Sequence, residues 1–471
     1  MVRLLGIDLG TTGLKALLIN ERGEIIWRFF RDYPLGTPQP GWTEQDPQDW
    51  AKALHQCLES LEFSPDAIGL SGQMHGSVFL DLRGAPVHPI ILWNDQRTQA
   101  ESEEMVSCVG LDRIMEITCN PPLTGFQAPK ILWLRKHQED LFKQTSSVLL
   151  PKDYLRFLLS GEKATEVSDA SGTSLFHVPE RRWAYELMEA LGLSPSLFPL
   201  CTESFIVSTR GKKGKVAGVP IVGGGGDQAA GALGAGAVVE GVISISLGTS
   251  GVVFTSQEEP IYDPKGRVHT FCHCNGKWHS MGVILNCGGA LRWARDALGF
   301  SGFEEMADKA RKAEATTVVF KPYLAGERTP YNNPELRGSF RGLSLADGRE
   351  EMARAIFEGV TFALLDGYES LHSLRASSPK PEVIRVTGGG ARSDYWMQLL
   401  GDTFGVPTVR LRVDEGPAFG AAILAGVGIG VWEDVITACR SVVQEAEVFH
   451  PDMEKHEHLS LRRQRWQEWG A

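Results

Sequence analysis

The chain of 471 residues has no long apolar run, no C-x-x-C pair and no excess of basic charge. Since no segment reaches about 18 unbroken apolar residues, we expect no membrane span. The N-terminal MVRLLGIDLG also lacks the apolar core of a signal peptide.

The eight scattered cysteines favour a reducing compartment over a disulfide framework. The net charge of −11 argues against nucleic acid or an anionic membrane as the main partner. We therefore expect a cytoplasmic globular protein with two or three domains.

Cys272, His273 and Cys274, with His269 and His279 nearby, form a cluster of metal-binding residue types. Their spacing matches none of the usual structural zinc patterns. The alternation of apolar and polar residues favours a half-buried strand, and a zinc site is the alternative.

The most unusual stretch is VGGGGDQAAGALGAG at 222–236, in which four glycines lead to Asp227. Four consecutive glycines lose much chain entropy on ordering, so the run needs a reason, such as close approach to a ligand or another backbone. The apolar residues before it predict a strand, and the small residues after it predict a tightly packed helix. This places Asp227 at a strand-to-helix corner, at or near the helix N-terminus. The alternative is a flexible linker with an incidental acid.

Near the N-terminus, Leu4–Asn20 predicts two strands around a Gly-Thr-Thr-Gly turn at 10–13. The glycines let the backbone approach an anion, and Thr11 and Thr12 add donors. Asp8 repels phosphate, but it can hold a Mg²⁺ ion that phosphates also bind. The alternative is an ordinary hairpin whose threonines satisfy their own turn.

The same parts return later in the chain, at Gly248-Thr249-Ser250-Gly251 and in the small-residue stretch 416–426. Gly416 stands where Asp227 aligns, so the second copy lacks the acid. This internal repeat divides the chain into a first half (1–238) and a second half (239–471), which we predict to be two domains. The duplication predicts that a ligand binds between the two halves. Because the first copy is longer, we expect its additional loops to select the substrate.

Several loops are candidates for binding. Gly72–Gly76 (GQMHG) follows a predicted strand and offers a donor, an apolar wall and an imidazole for a polyhydroxy compound, although a lone histidine is also commonly structural. Ile90–Arg97 adds Trp93, Asn94 and Asp95 as second-rank candidates. Leu149–Leu159 predicts a strand end and then a helix, and Ala164–Gly172 predicts a polar loop at a cleft.

Glycine-rich corners at 287–293 and 386–393 can place helix N-termini against a phosphate or a purine. No G-x-x-x-x-G-K-[ST] occurs, which excludes a P-loop NTPase. The polar loop LAGERT at 324–329 is expected near the cleft mouth.

The paired hairpins and small-residue helices resemble the actin, Hsp70 and hexokinase superfamily. Within it, the motifs G-Q-M-H-G, I-L-W-N-D, P-K-D-Y-L-R and G-G-G-D-x-A-A-G resemble the FGGY carbohydrate kinases over nearly the whole chain. The resemblance implies an α/β fold of two duplicated ribonuclease-H-like domains with a cleft between them, which closes by pivoting on the small-residue helices. It also implies transfer of the γ-phosphate of ATP, with Mg²⁺, to the terminal hydroxyl of a ketopentose, with D-xylulose as the expected sugar.

The resemblance assigns roles to individual residues. Asp227 is expected to be the general base and Asp8 to organise Mg²⁺. The expected sugar contacts are Gln73, Met74, His75, Trp93, Asp95, Asp227 and Gln228; the last stands where many relatives have Asn. The expected nucleotide contacts are Thr11, Thr12, Lys15, Thr249, Ser250, Gly288, Arg292, Gly389, Gly390 and Asp394.

Three alternative functions are open from the sequence. Another FGGY kinase would act on ribulose, glycerol or a deoxyketose. A chaperone-type ATPase would need a peptide-binding domain after its ATPase core. A sugar sensor without catalysis would be expected to lose Asp8 or Asp227. The resemblance leaves a homodimer open.

Overall fold

The computed structural model describes residues 1–313, 317–374 and 379–469. In the first half the strands are β1 (Leu4–Leu9), β2 (Gly13–Ile19), β3 (Ile25–Asp32), β4 (Glu44–Gln45), β5 (Ala67–Gly72), β6 (Val78–Leu80), β7 (Ile90–Ile91), β8 (Ser147–Leu149), β9 (Ala164–Glu166), β10 (Phe176–His177), β11 (Arg182–Trp183), β12 (Leu200–Thr202), β13 (Val207–Arg210), β14 (Pro220–Val222) and β15 (Gly225–Gly226). The helices are α1 (Pro47–Ser60), α2 (Gln99–Val109), α3 (Leu111–Thr118), α4 (Gln127–His137), α5 (Glu139–Gln144), α6 (Pro151–Ser160), α7 (Val167–Ala170), α8 (Tyr185–Ala190) and α9 (Asp227–Gly234).

The second half has the strands β16 (Val242–Leu247), β17 (Gly251–Gln257), β18 (His269–Cys272), β19 (Trp278–Ile284), β20 (Val319–Lys321), β21 (Ser339–Arg341), β22 (Val383–Thr387), β23 (Thr408–Leu411) and β24 (Glu445–Phe449). Its helices are α10 (Gly288–Ala297), α11 (Phe303–Lys312), α12 (Arg349–His372), α13 (Asp394–Phe404), α14 (Pro417–Gly428), α15 (Val435–Val442) and α16 (Met453–Glu468).

Each half is built on a mixed sheet, and the two sheets repeat one topology. In the first, β3, β2 and β1 run antiparallel in turn, β5 is parallel to β1 and β14 is parallel to β5. In the second, β19, β17 and β16 run antiparallel, β22 is parallel to β16 and β23 is parallel to β22. The predicted duplication of an α/β unit is therefore confirmed.

The four glycines before Asp227 are required by close contacts. A Cβ on Gly224 would lie 2.0 Å from the carbonyl oxygen of Leu70, and a Cβ on Gly226 would lie 2.8 Å from Cγ of Met74. Because real Cβ atoms do not approach so closely, only glycine fits here. The stretch is the predicted strand-to-helix corner, from β14 into α9, and the linker alternative is excluded.

The two small-residue helices, α9 and α14, cross each other with their backbones in contact. A Cβ on Gly420 of α14 would lie 1.9 Å from the carbonyl oxygen of Ala230 in α9. Helix α14 also lies on the first half's sheet, where Cβ atoms on Gly6 and Gly69 would come within 1.9 and 1.8 Å of α14 carbonyl oxygens. A helix of the second half therefore covers a face of the first sheet.

Two local predictions differ from the structure. Residues 164–172 form β9, α7 and the start of a 3-10 turn, all buried, so the predicted polar loop at a cleft is wrong. Their small polar side chains are matched by buried hydrogen-bond partners, which a local pattern does not show. His269–Cys272 is a strand as predicted, but all four residues are buried, because Phe271 packs against Phe126 of the first half.

Within the described residues, no helix is long and apolar enough to cross a membrane. The described part of the chain also brings no three His, Cys, Asp or Glu side chains into a metal-binding cluster.

Candidate active site

A cavity of about 450 Å³ lies between the halves, beside the crossing helices. Its lining includes Asp8 and Asp227 from the first half and Ser244, Ser246 and Thr387 from the second. Asp8, which precedes the first hairpin turn, and Asp227, which follows the glycines, were predicted from separate motifs. They face the same cavity.

Asp227 is the first residue of α9 and is partly exposed to the cavity. Burial raises the pKa of its carboxyl to about 7, and the negative charge of Asp8 adds to this rise. The side chain of Gln228 donates a long hydrogen bond of 3.4 Å to Oδ1 of Asp227. A carboxyl with this pKa takes up a proton near neutral pH, as a general base does.

Asp8 lies in β1, in register with Lys15 of β2 and Ser71 of β5. Burial raises the pKa of its carboxyl to about 6. Its Oδ1 is buried and has no hydrogen-bond partner among the residues that the structure describes. A buried carboxylate oxygen without a partner, facing a polar cavity, fits a cation held jointly with phosphates.

Met74 contacts the glycine corner and His75 follows Met74 in the chain, and neither is among the residues that line the cavity of Asp227. Met74 is buried against Gly226, and Nδ1 of His75 lies 2.7 Å from the carbonyl oxygen of Gly172. Since a carbonyl only accepts, Nδ1 carries the proton and Nε2 is left as an acceptor. Burial lowers the pKa of His75 to about 3, so the ring is neutral.

The backbone of His75 is held in an uncommon conformation. Its φ is 68°, a left-handed value that is unusual for a residue other than glycine and is often found at functional sites. The ring stacks on Phe126 with centroids 4.4 Å apart, and the Lys130 ammonium donates to the His75 carbonyl at 2.8 Å. Neither Phe126 nor Lys130 carried a signal in the sequence.

Gln73 and Asp95 have their polar groups occupied by the protein. Gln73 accepts from the Thr11 hydroxyl at 3.2 Å and donates to Gln45 at 2.9 Å. Asp95 is buried and accepts from the Arg97 side chain at 2.9 and 2.7 Å. These side chains hold the first hairpin and the loop of Trp93 in place.

Trp93 connects this loop to the hairpin. Its Nε1 donates to the Thr11 hydroxyl at 3.1 Å, and the side chain is 40% exposed, which leaves a face of the indole free for a ligand. Thr12 is exposed at the same turn.

A second cavity of about 840 Å³ opens in the second half. Its lining contains the predicted nucleotide contacts Thr249, Gly288, Arg292, Gly389, Gly390 and Asp394. It shares Gly389 and Arg392 with the first cavity, so the two spaces adjoin. Phe303, Glu304 and Arg311 of α11 line it as well and were not predicted.

The second hairpin turn joins the N-terminus of α10. The Gly288 and Gly289 amides donate to the carbonyls of Gly248 and Thr249 at 2.8 and 2.9 Å. Gly248 and Thr249 are exposed, and Ser250 is partly exposed. The carbonyls of the turn are thus held by α10, while its residues stay accessible to a ligand.

Lys15 faces the smaller cavity, where it forms an ion pair with Glu415 of the second half. Arg28 also pairs with Glu415, at 3.0 Å. Asp394 pairs with Arg410 at 2.6 Å. Glu415 was missed because its partners lie almost 400 positions away in the sequence.

The geometry agrees with comparisons to known proteins. The model of the FGGY family of carbohydrate kinases matches residues 3–234 with its N-terminal domain and 243–429 with its C-terminal domain. The chain is 39% identical to the xylulose kinase of Escherichia coli K12, over 98% of this chain and 97% of the relative. It is 42% identical to that of Klebsiella pneumoniae, over 90% of each chain.

A solved structure is also similar over its whole length. It is the crystal structure of a xyloylose kinase from Brucella ovis, with a TM-score of 0.93 and 36% sequence identity. The match covers 99% of this chain and 98% of that one.

Proposed function

Because the chain belongs to the FGGY family of carbohydrate kinases, we propose that it transfers the γ-phosphate of ATP to the terminal hydroxyl of D-xylulose. The similarity to xylulose kinases over nearly the full length supports the choice of sugar. The products are D-xylulose 5-phosphate and ADP.

One observation carries the proposal. Asp227, a carboxyl with a pKa near neutrality, faces a small cavity that adjoins a larger one lined by glycine corners. A hydroxyl in the small cavity and a nucleotide in the large one would meet where the cavities adjoin. Such a meeting point is what a phosphotransferase requires.

Asp227 is the general base in this proposal. It accepts the proton of the sugar hydroxyl as the hydroxyl oxygen attacks the γ-phosphorus and the bond to the β-phosphate oxygen breaks. A positioned base contributes about 10²–10⁴-fold to rate. The remainder comes from positioning and from neutralising phosphate charge.

Asp8, with its buried unpartnered oxygen, would hold Mg²⁺. When bound, the ion supplies charge neutralisation for the phosphates. We further propose that Thr11, Thr12, Lys15, Thr249 and Ser250 contact the phosphates, and that Gly288, Arg292, Gly389, Gly390 and Asp394 surround the nucleoside.

For the sugar, His75 offers Nε2 as an acceptor for one hydroxyl, and Trp93 offers an aromatic face. Met74 closes the apolar side, and Gln228 donates beside Asp227. Gln73 and Asp95 contribute by holding the hairpin and the Trp93 loop, because their polar groups already have protein partners.

The test is ADP release with Mg·ATP and a panel of D-xylulose, D-ribulose, L-ribulose, L-xylulose and glycerol. Preference for D-xylulose that is lost in Asp227→Ala is expected. Preference for another sugar would keep the kinase and overturn the assigned substrate. Absence of sugar-stimulated ADP release across the panel would overturn the proposed function.

A further inference from the structure

The corner that carries Asp227 is held by side chains from elsewhere in the first half. Two buried segments lie behind it: the P-K-D-Y-L-R motif, at the start of α6, and residues 166–169, at the end of β9 and in α7. Both lie outside the linings of the two cavities described above. The proposed reaction therefore leaves them without a role.

Arg156 of α6 binds the entry to the corner. Its guanidinium donates to the carbonyl of Val222 at 2.7 Å and to that of Gly223 at 2.5 Å. It also donates to the Ser208 hydroxyl at 2.6 Å. A planar guanidinium offers two nitrogens in a fixed fork to two adjacent carbonyls, whereas an ammonium offers a single nitrogen on a flexible stem.

Ser168 binds the exit of the corner. Its hydroxyl accepts from the amide of Gly226, the residue before Asp227, at 3.1 Å. The same hydroxyl donates to Oε1 of Glu166 at 3.0 Å, and the other Glu166 oxygen accepts from the hydroxyl of Ser204 at 2.6 Å. The backbone carbonyl of Ser204 in turn accepts a hydrogen bond from the amide of Gly224 at 2.8 Å.

Behind the corner two cations, Lys152 and Arg156, lie among three carboxyls, and burial raises the pKa of one of these, Asp169, well above its ordinary value. The Lys152 ammonium lies 2.7 Å from Asp153 and 3.4 Å from both Glu166 and Asp169. All four side chains are fully buried. Removing one partner of a buried ion pair is strongly destabilising, so this buried group forms a fixed support rather than a mobile surface.

We propose that Arg156, Ser168 and Glu166 are positioning residues that clamp the glycine corner and so fix the Asp227 carboxylate toward the sugar hydroxyl. Glycine loses more conformational freedom on ordering than any other residue, and the clamp adds to the constraint that the pairing of Gly225 and Gly226 with β5 provides. The inference rests on the proposed function for its kinetic effect, but not for its structural effect.

The first test is Ser168→Ala, which removes one hydroxyl and leaves the Gly226 amide without its acceptor. We expect kcat with D-xylulose to fall by about 10-fold to 100-fold, because a displacement of about 1 Å is enough for this. The KM for ATP should stay unchanged. Ser370→Ala is the matched control, since Ser370 is also buried and donates to a backbone carbonyl, that of Asp366 in α12.

A purely structural defect is separated by a double variant. If Ser168 acts through Asp227, adding Ser168→Ala to Asp227→Asn leaves the residual rate unchanged. An equal loss in both backgrounds would overturn the proposal. Arg156→Lys, which keeps the charge but loses the fixed fork of two nitrogens, should reproduce the kinetic pattern of Ser168→Ala.

Hydrogen exchange of the peptide covering 222–227 tests the clamp without any turnover. Faster exchange in Ser168→Ala than in wild type and Ser370→Ala is expected. Unchanged exchange would overturn the clamp even in an active enzyme. If the wild-type protein phosphorylates no sugar, the proposed function is refuted. The exchange measurement then still tests the clamp, because it needs no turnover.

Discussion

In the proposed reaction the carboxyl of Asp227 accepts the proton of the sugar hydroxyl. Replacing it by asparagine keeps its size but removes the group that accepts the proton. We expect Asp227→Asn to lower kcat by about 10²–10⁴-fold while ATP still binds, because the nucleotide cavity is lined by other residues. ADP release and calorimetric titration with ATP measure the two effects. Turnover near that of wild type would refute the assignment of the base.

The raised pKa of Asp227 sets a pH dependence. Burial and the charge of Asp8 raise this pKa to about 7, and only the deprotonated carboxylate can accept a proton. As the pH falls below about 7, we expect kcat/KM for the sugar to fall by about tenfold per pH unit. The control is the melting temperature over the same range. A profile that stays flat down to the ordinary carboxyl pKa of about 4 would contradict the role of burial.

At the level of single residues, the sequence indicated Asp8 and Asp227 because each stands beside a glycine-rich turn, where bare backbone lets a ligand approach an acid closely. The sequence did not show that the Asp95 carboxylate accepts hydrogen bonds from Arg97, or that the Gln73 amide bonds to Thr11 and Gln45. Those pairings depend on side-chain directions in the folded chain. Composition and spacing do not contain them.

Among the elements, the crossing of α9 and α14 leaves no room for a side chain. We expect Gly420→Ala to destabilise the protein by about 1–3 kcal/mol, since its Cβ would lie 1.9 Å from the Ala230 carbonyl oxygen. Thermal or urea unfolding measures this change.

Gly231→Ala in α9 is the matched control. Its Cβ would meet nothing closer than Pro417 at 3.6 Å, so a neutral or slightly stabilising effect is expected. Equal destabilisation by both substitutions would contradict the close crossing of the helices.

The small-residue pattern predicted that both helices pack tightly, but it did not identify the surface that each one covers. Contact of α14 with the first half's sheet depends on Gly6 and Gly69, each of which looks like an ordinary strand glycine by itself. The local pattern of 164–172 predicts a loop because Ser168 and Asp169 favour turns. Their buried partners, among them Lys152, are brought there only by the fold.

On the scale of the whole molecule, the two halves meet at the cavities and at the ion pairs of Glu415 with Lys15 and Arg28. We expect both ligands together to draw the halves closer, with α9 and α14 as the pivot. Small-angle scattering of Asp227→Asn with Mg·ATP and D-xylulose should give a smaller radius of gyration than the free protein. The inactive variant keeps both substrates intact during the measurement. An unchanged radius would argue against closure.

The position of α14 on the first sheet has a consequence for how the molecule came to be built. Ala232 of α9 and Ala235, just after it, pack in turn against Phe254 and Val409 of the second half. A polypeptide encoding one such unit would expose an apolar sheet face, which the small-residue helix of a second copy would cover. That arrangement is a domain-swapped dimer. In the present chain the first half has no complete core without α14 of the second.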